Sequence, residues 1–106
     1  MASELELLQI KRRRGNMLKL IRQNHEEQLH HWTDSEVLRM MQLLGENMSP
    51  RQVVTMLQDL QRLNFLTFEQ RFCPLRERTV TEKIELTPTG VAIVLARKDT
   101  DEVIFD

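Results

Sequence analysis

Apolar side chains recur along the chain with two different periods, and the change of period divides it into elements. Leu5, Leu8, Met17, Leu18, Ile21, His25 and Leu29 approximate a helical stripe, interrupted at Arg12-Arg13-Arg14-Gly15. Because a glycine costs about 1 kcal/mol inside a helix, this predicts a core helix over 15–31, preceded by a short helix or a continuous extension. Trp32-Thr33-Asp34-Ser35-Glu36-Val37 reads as a capping box, with Thr33 and Glu36 answering each other and Trp32 placed to staple onto Val37. A helix over 34–44 follows, closed by Gly45 at the left-handed exit. Met48-Ser49-Pro50-Arg51-Gln52-Val53 repeats the pattern: Ser49 caps, Pro50 takes the first helical position and Gln52 completes the box. That helix is expected over 50–63, with Asn64 suited to a left-handed exit. Leu86-Thr87-Pro88-Thr89-Gly90-Val91 opens a fourth helix over 88–98, and Arg97 and Lys98 suit the negative end of its dipole.

Between the third and fourth helices the period drops to two. Phe68 and Phe72, then Val80, Ile84 and Leu86, keep one parity, although Gln70 and Glu82 interrupt the apolar face. The pattern predicts two strands within 66–86 joined by a loop containing Pro74. Glu102-Val103-Ile104-Phe105 fits either a short strand or a docked segment. No internal repeat or low-complexity linker occurs, and the expected organisation is a helical extension at 1–14, a folded domain at 15–98 and an acidic tail at 99–106.

Composition narrows the function classes. A chain of 106 residues with 41% hydrophobic and 29% charged residues is long enough for one globular domain. Its single cysteine, Cys73, forms no internal bridge, and the first residues lack the basic-then-apolar order of a secretory leader, so a reducing cytoplasm is the expected location. The longest apolar run, Val91 to Ala96, is far short of the roughly 20 residues that span a bilayer, so no membrane association is expected. A net charge of −1 argues against indiscriminate phosphate binding. The average conceals a gradient: residues 51–83 hold six cations and four anions, whereas 99–106 hold four anions and no cation.

Helix, helix, short turn, helix, hairpin, helix is the order of a winged helix-turn-helix, an α+β fold with a three-helix core, a β-hairpin wing and a C-terminal helix. The segment Val53-Val54-Thr55-Met56-Leu57-Gln58-Asp59-Leu60-Gln61-Arg62-Leu63-Asn64-Phe65-Leu66 resembles the recognition helix and following turn of that superfamily, with Asn64 where glycine usually stands. Ile84-Glu85-Leu86-Thr87-Pro88-Thr89-Gly90 is similar to the Leu-Thr-x-x-Gly that closes the wing in the ArsR, MarR and PadR groups of bacterial regulators. Lys11-Arg12-Arg13-Arg14-Gly15 ahead of such a domain also resembles small ArsR-like proteins of Mu-like prophages. The resemblance covers about residues 16–97 and implies a DNA-binding transcriptional regulator of bacterial or phage origin. Metal sensing does not follow from it, because the paired cysteines of metal-sensing ArsR repressors are missing.

With duplex DNA as partner, the third helix lies in the major groove and the wing on the backbone. Val53, Leu57, Leu60 and Leu63 form the inward stripe, which leaves Arg51, Gln52, Thr55, Gln58 and Arg62 outward. Arg51 suits guanine, Gln52 suits adenine, and Thr55 suits a base edge or a thymine methyl. Arg76 and Arg78 on the wing are expected to meet phosphate or the adjacent minor groove, and Ser49 with the first helical amides offers another phosphate seat. The competing class is a winged helix serving as a protein-interaction module in a replication, packaging or regulatory assembly, since fold alone does not establish function.

Plainer readings apply elsewhere. Arg12, Arg13 and Arg14 fit a solvated helix face balanced by Glu4, Glu6, Glu26 and Glu27. His25, His30 and His31 lack a suitably spaced carboxylate or thiol, so no metal is expected. Cys73 reads as a small hairpin side chain, and Met40, Met41, Met48 and Met56 as core and turn packing. With no catalytic constellation and no glycine-rich phosphate loop, neither an enzyme nor a cofactor is expected. A homodimer is expected instead: Val91 to Ala96 are apolar all round, and Leu5, Leu8 and Ile10 add a second strip outside the core. Pairing of Leu5, Leu8 and Ile10 with Val91, Val94 and Leu95 of a two-fold mate removes both strips from water.

Overall fold

The computed structural model describes residues 3–27 and 31–105. It is α+β: helices α1 (Glu4–Glu27), α2 (Asp34–Leu43) and α3 (Pro50–Arg62), strands β1 (Leu66–Cys73) and β2 (Arg78–Leu86), and helix α4 (Pro88–Ala96). The two strands form one antiparallel hairpin. Helix starts fall where their capping residues put them. Ser49 Oγ accepts from Gln52 N–H at 3.2 Å while Gln52 Oε1 accepts from Ser49 N–H at 2.8 Å. At the start of α2 the Glu36 carboxylate accepts from Thr33 N–H at 3.1 Å, and Asn64 leaves α3 with φ 65°.

Helix α1 is one unbroken element of 24 residues rather than a core helix with a separate extension. Gly15 does not interrupt it; a Cβ there would overlap the Ile104 carbonyl oxygen. The C-terminal segment crosses α1 at this point, with Ile104 N–H donating to Lys11 C=O at 3.1 Å. Val103 and Phe105 are buried in the main core beside Met17, Leu18 and Ile21. The segment after α4 is thus docked, and its anions lie beside its buried apolar residues rather than on a separate tail.

The core also takes Val37 and Met41 from α2, Val53, Met56, Leu57 and Leu60 from α3, and Leu66, Ile84 and Leu86 from the hairpin. Met48 is buried with them and Met40 packs against them, which assigns these methionines to packing. The hairpin departs from simple parity. Leu66 pairs with Leu86 and Thr67 with Glu85, but Glu69 pairs with Glu82, so β2 carries one extra residue opposite Phe68. Lys83 occupies that bulge region with φ 54°. Past the bulge the faces exchange: Thr81, 1% exposed, joins the side of Ile84 and Leu86, while Val80 is buried outside the main core. Phe72, expected on the apolar face, is 62% exposed. His25 Nε2 meets Ile84 C=O at 3.1 Å, next to the bulge, which gives the histidine of the apolar stripe a hydrogen-bonding role.

Where α4 begins, Thr87 Oγ donates to Asn64 C=O at 2.6 Å and accepts from Gly90 N–H at 3.0 Å. A Cβ on Gly90 would overlap the Phe65 carbonyl oxygen. Threonine and glycine of the Leu-Thr-x-x-Gly pattern therefore bind the exit of α3 to the start of α4.

Candidate nucleic-acid interface

Arg51, Thr55, Gln58 and Arg62 recur at spacings of four, three and four on α3, and all four are exposed. They form one polar stripe opposite Val53, Leu57 and Leu60, whose complete burial fixes how the helix is turned. Arg51 makes no ion pair among the described residues. Arg62 is held by Asp59 one turn back. Gln52 is exposed but spends its carbonyl on the cap, so the two-point adenine contact would require opening the box. Ser49 likewise serves the cap, leaving an exposed helix start beside Arg51.

The hairpin divides into an anchored base and a free tip. Arg78, expected on DNA, instead donates to Asp34 Oδ2 at 3.0 Å and to Ser35 Oγ at 2.8 Å. Since the Asp34 side chain is only 6% exposed, Arg78 fastens the hairpin to α2 and is committed before any ligand arrives. Arg71 is paired with Glu82 and Lys83 with Glu69. Arg76 at the tip has no ion pair among the described residues and stands beside Leu75, which is 97% exposed. Cys73, half-exposed at the end of β1, has its thiol held below the ordinary value by the Arg76 backbone N–H, assisted by Leu75 N–H and the Arg71 and Arg76 charges.

Two features of this surface are not apparent in the spacing of the sequence. An open groove of about 560 Å³ separates α1 from α3, lined among others by Ile10, Arg13, Arg51, Gln52, Thr55 and Met56. Ile10 is half-buried there, beside the third helix, rather than on a free apolar strip. Arg14 is not part of a solvated basic face: its side chain, 14% exposed, reaches Glu102 at 2.9 Å and Asp59 at 3.6 Å. Arg13 pairs with Glu46 in the α2–α3 turn at 2.8 Å. These long-range pairs fix the position of α3 relative to α1 and the C-terminal segment.

Other expectations sort as follows. Val94 is buried in the protomer's own core and Val91 packs against it, so neither is free for a mate, whereas Leu5, Leu8 and Leu95 are exposed. His31 pairs with Glu85 at 3.2 Å and sets its ring edge-on to His25, with centroids 5.1 Å apart. His30 lies outside the described residues, among which no group of three metal-ligating side chains converges. No described helix is long and apolar enough to cross a membrane. No known family, characterised protein or solved structure matches the chain.

Proposed function

We propose that this four-helix and hairpin layout is a winged helix-turn-helix and that the protein binds duplex DNA as a transcriptional regulator of bacterial or phage type. The observation that carries the reading is the exposed stripe of Arg51, Thr55, Gln58 and Arg62 on a helix whose other side is wholly buried. Such a stripe fits the major groove, where Arg51 reads guanine and Thr55 a thymine methyl. Arg76, the unpaired cation of the wing tip, meets the flanking backbone, and Leu75 beside it is placed to press into the minor groove. Arg78 acts from behind by holding the wing at its angle to α2.

Anisotropy titration against a random duplex pool, followed by selection of bound sequences, tests this. The wild type is expected to bind with a salt slope of about −0.9 per phosphate contacted. Arg51→Ala should relax base preference, and Arg76→Ala should weaken all sequences alike and flatten the slope. Absence of salt-dependent binding to any pool overturns the proposal.

One observation favours a second reading, a protein-interaction module in a replication, packaging or regulatory assembly. Phe72 and Leu75 leave 62% and 97% of their surface exposed at the wing, which suits an apolar protein partner. Stoichiometric capture of one protein from nuclease-treated lysate, lost with Leu75→Asp and accompanied by no DNA retention, would favour it.

A further inference from the structure

The exposed stripe of α3 holds Arg51, Thr55, Gln58 and Arg62, and only the first two have a base to meet. Gln52, the glutamine whose sequence position suits adenine, is withdrawn from that task. Its Oε1 accepts from Ser49 N–H at 2.8 Å, and its side chain lines the groove toward α1 rather than the stripe. Gln58 is exposed, and its carboxamide makes no hydrogen bond among the described residues. It follows Thr55 by three residues and Arg51 by seven, so the three side chains leave the helix on one side. Arg62, next along the stripe, is held by Asp59. Gln61 adjoins the stripe only at its C-terminal end.

We propose that Gln58 is the adenine-reading residue of α3, and that the preferred site holds a guanine and an adenine about three base pairs apart. Resting on the DNA reading above, this role for Gln58 adds an order of bases to it. A carboxamide meets adenine at two points: Oε1 accepts from the N6 amino group while Nε2 donates to N7. Both side-chain atoms must be free for that contact, a condition that Gln58 meets and Gln52 does not. The spacing follows from the helix. Seven residues at a rise of about 1.5 Å carry Gln58 roughly 10 Å beyond Arg51, and stacked base pairs advance about 3.4 Å each. A helix lying along the major groove therefore brings Arg51 and Gln58 to base edges about three pairs apart, with Thr55 over the pairs between. A carboxylate in place of the carboxamide only accepts, and so selects cytosine through its N4 amino group.

Selection of bound sequences from a random duplex library by the full chain, repeated with Gln58→Glu and with Gln52→Glu, tests the proposal. The wild type should select an adenine about three pairs from the guanine whose preference Arg51→Ala relaxes. Gln58→Glu should replace that adenine by cytosine, change no other position, and weaken binding to the wild-type site about tenfold or more. Its helical circular dichroism should match the wild type, since position 58 is exposed. Gln52→Glu keeps an oxygen for Ser49 N–H, so the capping box and the base preference should both survive. A wild type that binds no duplex overturns the DNA reading and the role of Gln58 with it. Binding without a selected adenine, a site that Gln58→Glu leaves unchanged, or a shift to cytosine caused by Gln52→Glu instead, overturns the role of Gln58 and leaves DNA binding standing.

Discussion

Gly15 stands in mid-helix because the backbone of residue 104 passes where a side chain would be. Its role is close approach, so the helix propensity gained by Gly15→Ala is outweighed by overlap with the Ile104 carbonyl. We expect a loss of about 1–3 kcal/mol in urea unfolding. Arg76 and Arg78 are two residues apart on one hairpin, yet their substitutions should separate cleanly. Arg78→Ala leaves the buried Asp34 carboxylate without its cation and should cost about 1–3 kcal/mol of stability. Arg76→Ala should change stability by less than about 0.5 kcal/mol and alter only the response to phosphate. Cys73 offers a titration at the same tip. Backbone N–H groups and nearby arginines favour its thiolate, so its pKa lies below the ordinary thiol value and its alkylation should rise with pH earlier than that of a free thiol. Rates of iodoacetamide labelling across pH 6–10 check this, and a midpoint at or above that of free cysteine would contradict the assignment.

Among the elements, the caps were legible and the hairpin only partly so. Ser49 with Gln52 and Thr33 with Glu36 act over three residues, and both appear as their spacing indicates. Thr87 was legible as a cap but not as a bridge, because its second partner, Asn64 C=O, lies 23 positions away. Thr87→Val should therefore cost more than a lost cap alone, about 2 kcal/mol or more in thermal denaturation. In the hairpin, parity placed Ile84 and Leu86 correctly and Val80 is buried as expected, though outside the main core, whereas Phe72 is exposed. One extra residue at Lys83 exchanges the faces of the rest of β2, while Phe72 on β1 is exposed because the hairpin there extends past the core. A bulge has no strong sequence mark when a lysine, rather than a glycine, takes the left-handed conformation.

At the scale of the whole molecule, the balance of charge is spatial as well as numerical. Arg13, Arg14 and Arg78 are each paired with a carboxylate from a distant part of the chain, while Arg51 and Arg76 carry none among the described residues. Basic residues that looked equivalent in the sequence thus divide into cations that hold the fold and cations available to a ligand. Were two copies to bind one DNA site, two α3 stripes should contact half-sites about one helical turn apart, roughly 10 base pairs centre to centre. Hydroxyl-radical footprinting reads this spacing, and a single unpaired footprint would separate DNA binding from dimerisation.

The sequence by itself determined where α2, α3 and α4 begin, which face of α3 is buried and which of its side chains are outward. These depend on hydrogen bonds and side-chain periods confined to a few neighbouring residues. Tertiary structure alone decided that α1 continues through Gly15, that Val103 and Phe105 enter the core, and that Arg14 and Arg78 act as ties. Arg14 finds Glu102 across 88 positions and Arg78 finds Asp34 across 44. No local pattern specifies such pairs, since each charge is brought to its partner only when burial of the apolar faces has set the elements against one another.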